Sequence, residues 1–298
     1  TSSSASTYFA ARTTRTEYGA QTARVGPTTV TLPAGVHVSA VVNALGHKET
    51  RQTDPAFGNP LQHTDANGLV TRHEYDAFGR KTLEVTRDGT QIHHRICFVP
   101  APGRDLSANG AGCTASGFAP ALAVSYVETQ ERDPGGEWGP ASRKYLDALG
   151  RVIRQVDQPF ESEGLQADAR IVQDTIFTEV GAVLRATGPY LSGPTSAPPA
   201  EGNAAVGWTS TDYDALGRPV TVYVRDDAGA ATRFGQRVAT ATFQYDGLRV
   251  TERRNREARD ANGAMRNTGQ LVMLRISNPL GQVEQVVDAL GGTLRRRF

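Results

Sequence analysis

The sequence predicts an all-β protein, an antiparallel sheet built from repeats. Three observations predict it. A short phrase recurs, opening at Asn43, Asp54, Asp65 and Asp76, 11 residues apart each time. The residues after each phrase alternate with period two, as in a half-covered strand. Glycine punctuates nearly every window and β-branched residues fill the gaps, which disfavours helix.

Each phrase has a turn part and a strand part. The turn is Asp or Asn, one or two small or apolar residues, then Gly. Asp and Asn side chains accept hydrogen bonds from backbone NH groups two residues on, and Gly takes positive φ without steric cost. The strand part follows. In "RKTLEVT", Thr82, Glu84 and Thr86 alternate with Leu83 and Val85. An 11-residue unit therefore encodes one turn and one strand of roughly six residues, and neighbouring units should pair as antiparallel hairpins.

In chain order, residues 1–41 form an N-terminal edge of strands and loops, and 42–298 form the repeat region. The first four copies are "NALGHKETRQT", "DPAFGNPLQHT", "DANGLVTRHEY" and "DAFGRKTLEVT". A long loop near 100–120 interrupts them. The next copies begin at Asp147 and Thr178. A second loop, 188–207, holds Pro189, Pro194, Pro198 and Pro199, which exclude regular strand. Copies resume at Asp214, Gln244, Asn278 and Asp288. In "RPVTVYVRD", Val220, Val222 and Val224 should pack against neighbours while Thr221, Tyr223 and Arg225 stay wet. The charged stretch from Glu252 to Asp260 is the best helical candidate, and an exposed hairpin explains it equally well.

Composition narrows the function classes. A formal net charge of +1 gives no general reason to expect nucleic acid or a membrane surface. Lys48, Lys81 and Lys144 are the only lysines, so arginine carries nearly all the positive charge. Arg exceeds acids over 237–298, but alternating Arg and Glu reads as a solvated sheet face, and aromatic platforms for bases are few there. No stretch approaches roughly 18 consecutive apolar residues, so no membrane-spanning helix is expected. Both ends read as cut from a longer chain. Cys97 and Cys113 flank a loop rich in Gly, Pro, Ser and Asn. A disulfide closing it, worth on the order of 3 kcal/mol, is one reading; two free thiols are the other.

Chemistry-bearing motifs are few. The sequence lacks GxSxG, a Walker loop and GxGxxG. The six histidines, His37, His47, His63, His73, His93 and His94, lie in the first third. Adjacent repeats bring His63 and His73 near each other, but a metal needs three or four converging ligands, and turn histidines are the simpler reading. The pair Asp226 and Asp227 sits at a strand end. No catalytic residue, cofactor or metal is expected.

The phrases "EYDAFGRKTLEV" and "DYDALGRPVTVYVRD" resemble the YD repeat of the Rhs family. That family includes bacterial polymorphic toxins, the B and C components of insecticidal toxin complexes, and wall-associated proteins. The resemblance runs from about Val42 to Phe298. It is most specific at Tyr75-Asp76-Gly79-Arg80, Tyr145-Asp147-Gly150-Arg151 and Tyr213-Asp214-Gly217-Arg218. Leu146 separates Tyr145 from its Asp, and the copy at Tyr245-Asp246 loses a residue before Gly247. The turns at Asn43, Asp54, Asp65, Asn278 and Asp288 lack the leading Tyr.

The resemblance implies a YD-repeat β-sheet spiral, a segment of a hollow β-shell around a toxic C-terminal segment. It implies a bacterial protein, secreted or displayed at the cell surface as part of a larger chain. The implied partners are the rest of the same shell, the enclosed toxin segment and other toxin-complex subunits. Some family members cleave themselves at an aspartyl core motif. Only Asp54-Pro55 and Asp133-Pro134 offer Asp-Pro here, without the rest of that core, so self-cleavage is not assigned. A second reading is a cell-surface or carbohydrate-binding module, with Trp138, Tyr190 and Trp208 stacking on sugar rings. Tyr190 and Trp208 are also expected to clamp the 188–207 loop onto the sheet.

Overall fold

The structure, a computed structural model, describes residues 13–25, 28–99, 113, 117–160, 168–199, 206–225, 238–259 and 265–297. Among them there is no helix, and the strands are β1 to β22 in chain order. Every strand pairing with a defined register is antiparallel. Fold class and repeat-sheet organisation therefore stand as the sequence predicts. No helix of the described residues is long and apolar enough to cross a membrane.

The chain divides into two compact units. The first comprises Thr1–Ile96 with Val127–Ala141. Its sheet runs from β1 (Arg15–Glu17) through β4 (Ala40–Val42), β5 (Lys48–Thr53), β6 (Pro60–Thr64), β7 (Val70–Tyr75) and β8 (Lys81–Val85) to β9 (Gln91–Phe98). A separate hairpin, β2 (Gln21–Val25) and β3 (Thr28–Leu32), lies over β5 and buries Ala23 and Leu32.

The second unit comprises Cys97–Tyr126 with Ser142–Phe298. Its sheet follows β11 (Trp138–Leu146), β12 (Val152–Asp157) and β13 (Arg170–Phe177). β14 (Val183–Thr187) and β15 (Tyr190–Ser192) both pair with β13, at opposite ends of it. β16 (Trp208–Tyr213), β17 (Pro219–Arg225), β18 (Val238–Asp246), β19 (Arg249–Arg259), β20 (Met265–Ser277), β21 (Val283–Val287) and β22 (Thr293–Arg295) continue from β14. A core of Cys97, Phe118, Ala123, Tyr126, Tyr145, Val156 and Val172 sits at the start of this unit. The Cys97–Cys113 disulfide is formed, with Cα atoms 5.8 Å apart.

One alternative is decided and one expectation needs correcting. Of the two readings of Glu252–Asp260, the hairpin holds and the helix does not: to Arg259 it is strand β19, paired with β20 along its length and with β18 up to Arg254, and Asp260 lies outside the described residues. Strand pairing satisfies its backbone, from both sides up to Arg254 and from β20 beyond it, and Glu252 is buried against Arg254 and Arg275. The two faces of β17 are also not split into packed and wet. Val220, Val222, Thr221 and Tyr223 are all half-buried, and Val224 is exposed. Cover comes from in-sheet neighbours on both faces. Val222 lies opposite Thr211 and Ala241, Tyr223 opposite Ser210 and Ala239.

Candidate functional site

The recurring turn is one hairpin geometry. In the copy at Asp76, the Asp76 NH donates to the Arg80 carbonyl at 2.9 Å, and the Gly79 NH donates to the Asp76 carbonyl at 3.0 Å. This is a type I turn closed by a left-handed residue, the three-residue hairpin loop. Gly79, Gly150 and Gly217 hold that position with φ of 74°, 75° and 74°, where a Cβ would be strained.

The Asp side chain locks the turn. Asp76 Oδ1 accepts from the Phe78 and Arg80 NH groups, and Oδ2 accepts from Arg80 Nε at 2.6 Å. Asp147 takes the same bonds from Leu149 and Arg151, and Asp214 from Leu216 and Arg218. These donors hold the carboxyls below their ordinary range. At Asp147 the Arg151 side chain contributes most, and at Asp214 the Arg218 backbone NH does. At Asp76 burial pushes the other way and the Arg80 donors outweigh it.

The motif Tyr ties each repeat to the strand before it. Tyr75 OH donates to the Pro60 carbonyl at 2.9 Å, Tyr213 to Val183 at 2.7 Å, and Tyr245 to Pro219 at 2.9 Å. In each case the acceptor lies two residues after a turn glycine: Gly58, Gly181 and Gly217. The motif Arg adds a second tie. Arg218 sits 4.2 Å over the Tyr245 ring and Arg151 4.5 Å over Phe177, which stands where another copy has its Tyr.

Tyr145 departs from this scheme. Leu146 takes the place beside Asp147 that Tyr75 and Tyr213 hold beside their own Asp, at the same register shift, so Tyr145 stands one residue earlier. A one-residue shift turns a side chain to the other face of a strand. Tyr145 is accordingly fully buried in the core, 5.5 Å from the Tyr126 ring, and its hydroxyl has no partner.

A second cluster lay outside the sequence reading. Arg154 on β12 and Asp174 on β13 form a buried bidentate pair, Nε–Oδ1 2.6 Å and Nη2–Oδ2 3.2 Å. Tyr190 donates to Asp174 Oδ2 at 2.6 Å. Arg154 Nη1 donates to the carbonyls of Phe118 and Thr195. One guanidinium thus pins both long inserts to the sheet. The inserts also meet directly, since a Cβ on Gly117 would stand 2.7 Å from Pro194 Cβ. Burial, then the bond to Asp174, pushes the Tyr190 hydroxyl above its ordinary pKa. The signal in sequence was a charge on each inward face, Arg154 beside Val156 and Asp174 beside Val172. Pairing them required the register.

A cavity of about 360 Å³ opens beside this pair, lined by Leu122, Ile153, Phe177 and Pro198 among others. The carboxylates lining it, Asp147 and Asp174, are paired with Arg151 and Arg154. Among the described residues no group of three or more His, Cys, Asp and Glu is placed to hold a metal. His63 pairs with Glu49 and His73 faces Glu84, as separate contacts. Asp226 and Asp227 lie outside the described residues. Trp208 is buried, so the stacking role expected of it does not fit, whereas Trp138 is half exposed. Tyr190 does hold the 193–199 segment near the sheet, through Asp174 and Arg154.

Residues 54–91 match the family model described as RHS Repeat, the family that the YD phrases indicate. No curated protein matches. Among solved structures, the chain is similar to the crystal structure of TcdB2-TccC3, at 15% identity and a TM-score of 0.45, covering 91% of this chain and 18% of that one. It is similar to the TcdB2-TccC3-Cdc42 structure at 14% identity and a TM-score of 0.47, covering 91% and 20%. For TcdB2-TccC3 without its hypervariable C-terminal region the identity is 13% and the TM-score 0.36, covering 91% and 20%. The chain thus spans about a fifth of the length of the solved structures it matches.

Proposed function

We propose that this RHS-repeat chain is a non-catalytic segment of a β-shell wall that encloses a C-terminal toxin or effector segment and helps deliver it. The observation that supports this reading is the hairpin at Asp76, Asp147 and Asp214. Each copy locks its own turn, and the ties from Tyr75, Tyr213 and Tyr245 reach only the preceding strand. Stability that rests on nearest neighbours lets a sheet extend without a central core, which is what a wall around a large interior requires. The Asp carboxylates are engaged by backbone NH groups and Arg, in a structural role. The partners under this reading are the rest of the shell, the enclosed segment and toxin-complex subunits, in a secreted or surface-displayed bacterial protein.

Limited proteolysis of the native polypeptide carrying this chain tests the reading. A non-repeat segment should survive protease while the wall is folded and be digested once the wall is unfolded. Digestion of every non-repeat segment at equal rates under native conditions would overturn it. The carbohydrate reading keeps one observation in its favour, the half-exposed Trp138 ring, held by the Arg132 guanidinium over it and the tilted His93 ring beside it. Glycan binding lost in Trp138→Ala would support it, and no binding to any glycan would end it.

A further inference from the structure

The cavity beside the Arg154–Asp174 pair has no part in the turn-and-strand scheme. Arg154 holds Phe118 in one long insert and Thr195 in the other, and the inserts meet where Gly117 faces Pro194. Just past those fixed points, residues 120–122 and 196–198 line the cavity from the inserts, while Ile153, Ile176 and Phe177 line it from β12 and β13. Its volume of about 360 Å³ is room for about a dozen waters at their share of liquid volume. Packed interiors keep few voids larger than one water. A preformed apolar cavity with a few polar groups is the usual form of a binding site, and long inserts in a compact unit commonly carry function.

We propose that this cavity receives an apolar residue of a partner polypeptide, with a main-chain carbonyl of that partner on Arg151. The chemistry of the lining selects this occupant. Both carboxylates are matched, Asp147 by Arg151 and Asp174 by Arg154, so a charged ligand finds no counter-ion. One donor is left over. Arg151 gives Nε and Nη2 to Asp147, while its Nη1 is buried with no partner. A buried donor without an acceptor costs about 1–3 kcal/mol, and a neutral carbonyl removes that cost. Depth then orders the parts of the ligand. The Asp174 side chain is 3% exposed, the Arg151 side chain 29% and Leu122 77%. The acceptor therefore belongs near the rim and the apolar group inside. A residue in a peptide has that build, since its side chain projects from a main chain whose carbonyls stay outside.

Ligand-detected NMR titration of the whole chain tests this, with acetyl-Gly-Leu-Gly-amide as the probe and acetyl-Gly-Ser-Gly-amide as its polar control. The leucine peptide should bind saturably. The serine peptide should bind at least about tenfold more weakly, the discrimination that an apolar group brings in such a pocket. Ala197→Trp, at an exposed position on the lining, should fill the cavity and weaken the leucine peptide by a similar factor while the β-sheet circular dichroism is kept. Arg151→Lys keeps a cation beside Asp147 but removes Nη1, and should weaken the same peptide severalfold. If Arg151→Lys disturbs its turn, the Ala197→Trp arm decides by itself. Absence of saturable binding up to the solubility limit of the probe, equal binding of the two peptides, or binding indifferent to Ala197→Trp would overturn the proposal. So would cyclohexanone that competes with the leucine peptide and binds as tightly, which would assign the cavity to a free small molecule.

Discussion

Arg218 and Tyr245 lock two repeats together: the guanidinium of one turn sits 4.2 Å over the ring that opens the next. The Tyr245 hydroxyl also donates to the Pro219 carbonyl, beside that Arg. Burial accordingly raises the Tyr245 hydroxyl pKa. A cation over an aromatic face contributes about 0.5–1 kcal/mol at an exposed site, and a net hydrogen bond about 1 kcal/mol.

The hydroxyl ties should be separable by mutation. Tyr213→Phe and Tyr245→Phe should each lower unfolding free energy by about 1 kcal/mol in urea titrations. Tyr145→Phe should leave it unchanged or raise it slightly, because the Tyr145 hydroxyl is buried without a partner. Equal losses at all three positions would contradict the distinction.

The buried pair should behave as a staple for both inserts. Arg154→Met leaves Asp174 buried with one partner, Tyr190, and strands the carbonyls it held. Breaking a buried ion pair from one side costs about 3–5 kcal/mol. The double variant Arg154→Met with Asp174→Leu should recover much of that in the same titration. Proteolysis should then begin in the 193–199 segment, which Arg154 holds through Thr195.

The turn glycines should differ in a predictable order. A Cβ on Gly150 meets nothing within 4 Å, so Gly150→Ala pays only for its left-handed backbone, about 1–2 kcal/mol. Gly79→Ala should cost more, since its Cβ would also run into Phe57. Adding Phe57→Ala should remove that excess and leave the backbone cost, as read by thermal unfolding.

Acid should weaken the first unit in two stages. Burial lowers the pKa of His73 and His94 below the ordinary 6.5. His73 faces Glu84 and Lys81 from β8 and His63 from β6. His94 faces Glu84 and Lys81 from β8, with His93 beside it on its own strand; Thr129, on β10 (Ser125–Arg132), approaches its ring. A histidine that resists protonation when folded gives stability that is full above 6.5 and falls as pH drops toward its folded value. Depressed carboxylates such as Asp76 lose their contribution later, below about 4. Burial lowers the His93 pKa as well, so His73→Gln, His93→Gln and His94→Gln together should remove the first stage and leave the second.

The repeat was legible because its chemistry is local. Asp76, Gly79 and Arg80 lie within five residues and build a complete hairpin from their own side chains, so the sequence carried both the turn and its pairing. The Tyr ties were half legible. Packing against the neighbouring repeat followed from the motif, but the carbonyl acceptor at Pro60, Val183 or Pro219 depended on strand register. The Arg154–Asp174 pair was not legible, because its residues are 20 apart and meet only when β12 and β13 align. The even cover on β17 was missed for a related reason. A Val alternation implies a packed face only if another layer lies over it, and the in-sheet neighbours set its cover instead.

The account rests on these hairpins being wall rather than a self-sufficient domain. The most direct test is an electron cryomicroscopy reconstruction of the native polypeptide that carries this chain. The account predicts that residues 13–297 form part of a continuous curved sheet around a closed cavity holding density from a non-repeat segment. A map in which they form a free-standing sheet, with solvent on both faces and nothing enclosed, would contradict it.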